Sequence, residues 1–297
     1  MAITKQVLVT GAGGFSGAYL AQGLVSAGYE VVAIAGRSGS GRLRLDPSRP
    51  GRLIILEGDL AQGIPYTGSV EAIIHTASVS PEPKITVSEI IRSNVEGTRR
   101  LVEWARQQGV RKFINFSSLS VFGQIDGPVL DESVPRVNPD AYGVSKWLGE
   151  QLLADQGEEL SALSLRLPGI IGPRAVRNWL ATALAAAKEG RDITYYHPTA
   201  DYNNAVHIDD LCRFIVSLLE RDWCGHEMIV LGCADMIKVR DLVSALSAGF
   251  GGRSGLREVA PRRPSFTLSI ARAQKLYDYR PMAIRYMIER FVEENKD

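Results

Sequence analysis

The chain has 297 residues, with 34 Lys and Arg against 33 Asp and Glu, a formal net charge of +1. That balance excludes the basic excess of a nucleic-acid binder, and a 45% hydrophobic content excludes a disordered chain. Three cysteines, Cys212, Cys224 and Cys233, have no CxxC spacing, so neither a disulfide framework nor a zinc cluster is indicated.

The opening residues, MAITKQVLVTGAGG, enter a strand and a turn without the basic-then-apolar pattern of a signal peptide. The richest apolar stretch, 179–187, is far too short to span a bilayer. A soluble, cytoplasmic protein with neither membrane nor nucleic-acid partner is expected.

Short β-rich runs alternate with helical patterns over the first two thirds. Strands are predicted at Gln6–Thr10, Glu30–Ala35, 53–57, 72–76, 112–117 and 162–167, several of them apolar on both faces as buried parallel strands should be. Helices are predicted at 14–27, 86–108 and 139–156. This alternation implies an α/β fold with a doubly wound parallel sheet. After Leu167 the rhythm changes. The turn PGIIGPR leads to an Ala-rich helix at 178–188, a helix near Asp209, a strand near 228–231, and two or three short helices around a basic turn, APRRP. Residues 1–167 with about 191–222 are expected to form a nucleotide-binding domain. Residues 168–190 and 223–297 are expected to form a small cap over the carboxyl ends of the strands, where ligands bind in open α/β sheets.

The segment VLVTGAGGFSG sets Gly11, Gly14 and Gly17 between the first strand and a helix. Glycine permits the tight turn, the close approach of a pyrophosphate and close helix–strand packing, and the helix N-terminus attracts the anion. A glycine turn alone is weak evidence, but its strand–turn–helix setting points to a dinucleotide site. The second strand ends in Ala35 and Gly36, where a site for NAD usually carries Asp or Glu. Arg37 follows, with Ser38 and Arg42 nearby. A cation there can pair with a 2′-phosphate, so the expected cofactor is NADP in preference to NAD, the alternative being that Arg37 is simply a loop cation. Asp59, in LEGDL, can accept from an adenine amino group or cap a helix.

Tyr142 and Lys146, in AYGVSK, stand at i and i+4 and share one helix face. A nearby ammonium favours the phenolate, so Lys146 is expected to bring Tyr142 from its ordinary pKa of about 10 toward usable acid–base strength. Ser118, in FSSLSVFG, ends the fifth strand, from where its hydroxyl can bind the oxygen whose proton Tyr142 moves.

These motifs together resemble the extended short-chain dehydrogenase/reductase family, the NAD(P)-dependent epimerase/dehydratase group, over nearly the whole chain to about Leu211. TGAGGFSG matches its TGxxGxxG, and IIHTAS its HxAA-like strand. NVEGT, from Asn94, matches the central-helix motif, and FSSLSVFG matches SSxxVYG with Phe122 replacing Tyr. AYGVSK matches YxxxK, RLPGIIGP the Gly/Pro turn, and VHIDDL matches VHVDDL. The resemblance implies a Rossmann-type sheet with a C-terminal substrate-binding cap. It implies Tyr142 as acid/base, Lys146 as its tuning partner and Ser118 as hydrogen-bond donor to the substrate. Phe15, Leu60, Thr76, Ala77, Asn94, Pro168 and Ile170 are implied to line the cofactor, with His75, His207 and Asn94 holding the architecture.

The same resemblance narrows the reaction. The family's 4,6-dehydratases carry Asp and Glu after the Ser or Thr; Leu119 and Ser120 stand there, so dehydration is not expected. Ser120 also replaces the Cys of members that epimerise by deprotonating carbon. Simple oxidoreduction remains, as a ketoreductase or a hidden-hydride 4-epimerase. Asn178 and Arg263, with Arg262, Arg174 and Arg177 close in sequence, are implied to hold the diphosphate of a nucleotide sugar. Gly169 and Asn203 depart from the Asn and Arg of UDP-galactose epimerases. The alternatives are a dihydroflavonol-reductase-like reductase of a free carbonyl compound and a non-catalytic dinucleotide sensor. Family members often dimerise through helices equivalent to 86–108 and 139–156, so a homodimer is expected.

Overall fold

The computed structural model describes residues 5–36, 43 and 48–296. In chain order the elements begin with β1 (Gln6–Thr10), α1 (Phe15–Ser26), β2 (Glu30–Ala35), β3 (Arg52–Glu57) and β4 (Ala72–His75). A short α2 (Val87–Ile90), a π-helical turn (Ile91–Glu96) and α3 (Gly97–Gln107) come next, followed by β5 (Lys112–Ser118), β6 (Val129–Leu130) and α4 (Ala141–Ala154). Then come β7 (Ser161–Leu167), β8 (Gly169–Ile171), α5 (Trp179–Lys188), β9 (Ile193–Tyr195), β10 (Asp201–Tyr202), β11 (Ala205–His207), α6 (Ile208–Glu220) and β12 (His226–Val230). The chain closes with β13 (Ile237–Lys238), α7 (Val239–Gly249), β14 (Leu256–Glu258), β15 (Thr267–Leu268), α8 (Ala271–Tyr277) and α9 (Ile284–Glu293).

Seven strands form one sheet in the order β12-β7-β5-β4-β1-β2-β3. The pairings β1–β2, β2–β3, β1–β4 and β4–β5 are all parallel. Both faces of the central strands are buried, which is why β1, β2 and β4 read as continuous apolar runs. The strand order reverses between β1 and β4, and the glycine turn leaves β1 at that switch point, where open α/β sheets bind ligands.

Thr86 and Glu89 close a reciprocal capping box that starts α2. On α3, Leu101, Val102 and Ala105 are buried while Arg99 and Arg100 pair with Glu96 on the outer face. Asp140 caps α4 by accepting from the Gly143 amide at 2.8 Å. The expected single helix 86–108 is interrupted by the π-helical turn, which contains Asn94. Such one-turn insertions recur at functional sites.

By its contacts the chain divides into two compact units. The first comprises Met1–Gly123, Arg136–Arg166 and Cys212–Ile229; the second comprises Gln124–Pro135, Leu167–Leu211 and Val230–Asp297. The division differs from the sequence expectation at three places. Residues 191–211 belong to the second unit because β11 pairs with β8 and β9 with β14. Residues 124–135 join it because β6 pairs with β15. Residues 223–229 belong to the first unit because β12 extends the seven-stranded sheet beside β7. Within the second unit, the core gathers Leu180, Ile193, Leu242, Leu246, Ile288 and Phe291, all essentially without exposure.

Candidate active site

In the first unit the turn after β1 is built for glycine. Gly11 has φ +69°, and a Cβ there would stand 2.5 Å from the Ala77 amide nitrogen. At Gly17 a Cβ would stand 2.3 Å from the Gly11 carbonyl oxygen and 2.7 Å from Thr76 Oγ1. Gly14 is the exposed N-cap of α1 and offers no side-chain acceptor to the first-turn amides. A β4 end pressed against a glycine turn, with an uncapped helix start beside it, fits a pyrophosphate. Phe15, Thr76 and Ala77 are half-buried around this turn, and Thr76 Oγ1 donates to the Thr10 carbonyl at 2.8 Å.

Beside it, Gly36, Glu57, Gly58, Asp59, Gln62 and Arg92 line a cleft of about 670 Å³. Asp59 Oδ1 accepts from the Ala61 amide at 3.0 Å, and its Oδ2 pairs with Arg92. Asp59 therefore caps a turn rather than a helix, and it lies in the cleft where an adenosine would fit. Leu60 is buried in the core cluster with Ile73 and Leu101, so it can offer a ligand only its backbone. Arg37, Ser38 and Arg42 lie outside the described residues.

The catalytic candidates converge on the same unit. α4 carries Tyr142 and Lys146 one turn apart, and Lys146 Nζ lies 5.8 Å from the Tyr142 ring centroid. Lys146 is buried and donates to the Phe116 carbonyl on β5 at 2.9 Å. Burial pulls its pKa down to about 8, against an upward pull from Glu150. Ser118, at the end of β5, accepts from the Ser120 amide at 3.1 Å and donates to Ser120 Oγ at 3.2 Å. The first turn of α4 presses onto this loop: a Cβ at Gly143 would stand 2.1 Å from the Ser120 carbonyl oxygen.

One expectation is corrected here. The Tyr142 phenol is raised above 10, not lowered, because its burial outweighs everything else. What opposes burial is the approach of the Ser78, Ser118 and Ser80 hydroxyls; the Lys146 ammonium is turned to Phe116 instead.

Asn94 ties this region together. Its Oδ1 accepts from the Val79 amide at 2.7 Å, and its Nδ2 donates to the Val79 carbonyl and to Ser145 Oγ, both at 3.0 Å. Ser145 Oγ in turn donates to the Tyr142 carbonyl at 2.7 Å. Asn94 is thus an architectural clamp. His75 is another. Thr98 gives its proton to the Asn94 carbonyl at 2.6 Å, so His75 Nε2 donates to Thr98 Oγ1 at 2.9 Å and Nδ1 accepts from Thr10 Oγ1 at 2.7 Å. Complete burial holds its pKa near 3, so the ring stays neutral.

Sequence reasoning missed the buried ion pair one turn beyond Lys146. Glu150 Oε1 accepts from Ser117 Oγ at 2.6 Å and from Arg166 Nε at 3.0 Å, while Oε2 accepts from Arg166 Nη2 at 2.8 Å. Arg166 lies 4.8 Å over the Phe122 ring. The spacing Tyr142–Lys146–Glu150 on one helix face was the available signal.

In the second unit, β8 carries Ile170 beside Pro168 and pairs in parallel with β11. Asn178 caps α5, accepting from the Ala181 amide at 2.9 Å and donating to the Ile170 carbonyl at 2.7 Å. Its amide is therefore already engaged at both ends. Arg262 and Arg263 are exposed, and the Arg263 carbonyl accepts from His197 Nε2 at 2.7 Å. Asn203 is buried and pairs with both backbone groups of Leu268 at 2.8 Å, which gives this departure a structural role. His207 Nδ1 accepts from the Asp209 amide at 3.2 Å and Nε2 donates to Glu294 at 3.0 Å; Arg290 supplies the cation shared by Asp209 and Glu294.

Comparison with known proteins adds to this geometry. A family model described as the NAD dependent epimerase/dehydratase family matches residues 7–232. A UDP-glucose 4-epimerase of Erwinia amylovora is 27% identical over 292 residues, 86% of each chain. A dTDP-4-dehydro-6-deoxy-D-allose reductase of Streptomyces is 25% identical over 96% of this chain and 94% of that one. Among solved structures, MoeE5 in complex with UDP-glucuronic acid and NAD superposes with a TM-score of 0.81 at 25% identity, covering 97% of this chain and 98% of that one.

Proposed function

The chain belongs to the NAD dependent epimerase/dehydratase family, and from that premise we propose that it is a nicotinamide-dependent nucleotide-sugar 4-epimerase or ketoreductase. The observation that carries the reading is the convergence of Ser118, Tyr142 and Lys146 on β5 and the first two turns of α4, in the unit that holds the glycine turn.

When bound, the nicotinamide accepts a hydride from a carbinol carbon or returns one to a ketone. The chain supplies the proton handling. Tyr142 Oη takes the proton of the substrate hydroxyl during oxidation and gives it back during reduction. Ser118 Oγ donates to the same substrate oxygen. Lys146 donates to the Phe116 carbonyl and so fixes the helix that carries the phenol against the strand that carries Ser118. Leu119 and Ser120 after Ser118 leave no acid–base pair for dehydration. Asn178 and Arg263 are proposed to meet the substrate diphosphate, Asn178 through the hydrogen-bonding capacity its cap leaves.

The cofactor preference is proposed to be NADP over NAD, because β2 ends at Ala35 and is followed by Gly36, with no carboxylate at either, and Arg37 comes next in sequence. A homodimer is proposed through α2, the π-helical turn and α4, which expose Val87, Ile91 and Leu148. Three cysteines that form no disulfide suit the reducing cytoplasm in which we place it. Among the described residues, no helix is long and apolar enough to cross a membrane.

The test is turnover of UDP-glucose, UDP-galactose, UDP-glucuronic acid and a dTDP-4-keto sugar with either dinucleotide. Conversion of any of them, abolished in Tyr142→Phe, supports the reading. Conversion of only free carbonyl compounds moves the protein to the reductase class. Dinucleotide binding without any turnover makes it a sensor.

A further inference from the structure

The hydroxyl of Ser78 has no assignment in the chemistry above. Its Oγ is enclosed by protein and has no hydrogen-bond partner. An orphaned buried hydroxyl is destabilising and calls for a reason. Its place in the fold supplies one. Ser78 and Ser80 flank Val79, whose amide and carbonyl are both held by Asn94. Asn94 also bonds Ser145 Oγ, which bonds the Tyr142 carbonyl. This chain of bonds fixes the 78–80 segment against the turn of α4 that begins at Tyr142, while Ser118 approaches from the end of β5.

Valence then decides what three hydroxyls around one phenol can do. A neutral phenol has a single proton to donate and is a weak acceptor. A phenolate is acceptor-only, with room for several donors. A ring of serine hydroxyls is therefore under-used by the neutral form and fully used by the anion. We propose that Ser78 is a catalytic residue that donates to the deprotonated Tyr142 oxygen, forming with Ser80 a two-donor collar that stabilises the phenolate while Ser118 keeps its one proton for the substrate oxygen. This rests on the reading of Tyr142 as the acid–base.

The collar also answers an energetic problem. Burial opposes ionisation of Tyr142, and the three serines are the groups that favour it. The charged and titratable groups around the phenol act otherwise. Asp140, at the start of the same helix, disfavours the anion. Lys146, one turn on, is bonded to Phe116. His75, at the end of β4, is neutral between Thr10 and Thr98. Glu150 is neutralised by Arg166.

The test needs no sugar substrate. NAD-saturated protein labelled with ¹³C at tyrosine Cζ is titrated by NMR, and the resonance missing from Tyr142→Phe identifies Tyr142. In Ser78→Ala the Tyr142 pKa should rise by about one unit, a tenfold weaker acid worth about 1.4 kcal/mol. The melting temperature should hold or rise, since the lost hydroxyl had no partner. Ser80→Ala should raise the pKa in the same direction. An unchanged Tyr142 pKa in Ser78→Ala, with or without lost stability, overturns the proposal. Should Ser78→Ala not fold, Ser78→Cys, a weaker donor, must give a smaller rise of the same sign. Retained turnover in Tyr142→Phe, by contrast, overturns the functional reading and leaves the titration result standing.

Discussion

Lys146 donates its ammonium proton to the carbonyl of Phe116 at 2.9 Å, which anchors the helix carrying the phenol to the strand carrying Ser118. The bond costs the lysine its solvent, and burial brings its pKa from 10.5 to about 8. Below pH 8 the folded protein must hold a charge that the unfolded chain would hold more easily. The penalty is full below about pH 8, shrinks as pH rises, and vanishes above 10.5. Lys146→Met should therefore be more stable than wild type at pH 7, by up to about 3 kcal/mol, and the gap should close between pH 8 and 10.5. Urea denaturation across that range measures it. A gap that widens with pH would contradict the assignment.

Removing the phenolic hydroxyl addresses chemistry without touching the fold. Tyr142→Phe should lower kcat by about 10²–10⁴, the usual worth of a positioned general acid–base, while the dinucleotide Kd stays within about twofold. Steady-state kinetics with calorimetric cofactor binding separate the two effects; loss of both together would mean that the hydroxyl also holds the dinucleotide.

Glu150 and Arg166 are both fully buried and satisfy each other through two hydrogen bonds. Breaking such a pair leaves one buried charge alone. Glu150→Gln should cost about 3–5 kcal/mol, and Arg166→Met in the same chain should recover a large part of it by removing the orphaned guanidinium. Equilibrium denaturation of the two single variants and the double variant measures the coupling. Additive losses would show that the two residues act independently.

The legible parts of this protein are those where local chemistry has one solution. The parallel strands show as two-sided apolar runs because both sheet faces are covered, and β1 and β2 begin and end where the sequence places them. Gly11 and Gly17 are readable because no other residue fits their contacts. Ser118, Tyr142 and Lys146 are readable because they sit in ordered motifs on one strand and one helix. The direction of the Tyr142 pKa was not readable: an i,i+4 spacing specifies a helix face but not where an ammonium points, and the Phe116 carbonyl that captures it is 30 residues away. The bonds of Asn94, which lies in the π-helical turn, are hidden for the same reason, since Val79 and Ser145 are distant in sequence. The roles of Asn178 and Asn203 likewise depend on carbonyls and amides of distant strands.

The carboxylate that would accept both ribose hydroxyls of NAD is missing from the end of β2, where Ala35 and Gly36 stand. The cleft at that point holds Arg92 paired to Asp59, with Arg37 next in sequence to Gly36. A 2′-phosphate gains a charge-assisted hydrogen bond from a guanidinium, worth about 1.5–3 kcal/mol, where a ribose hydroxyl gains less. NADP should accordingly bind about tenfold or more tightly than NAD, and Arg37→Ala should erase most of that ratio by weakening NADP while leaving NAD unchanged. Calorimetry with both dinucleotides at fixed ionic strength provides the ratio. The difference should shrink at high salt, as a contact between a guanidinium and a phosphate is screened. Equal affinities that Arg37→Ala leaves equal would assign the site to NAD and reduce Arg37 to a solvated loop cation.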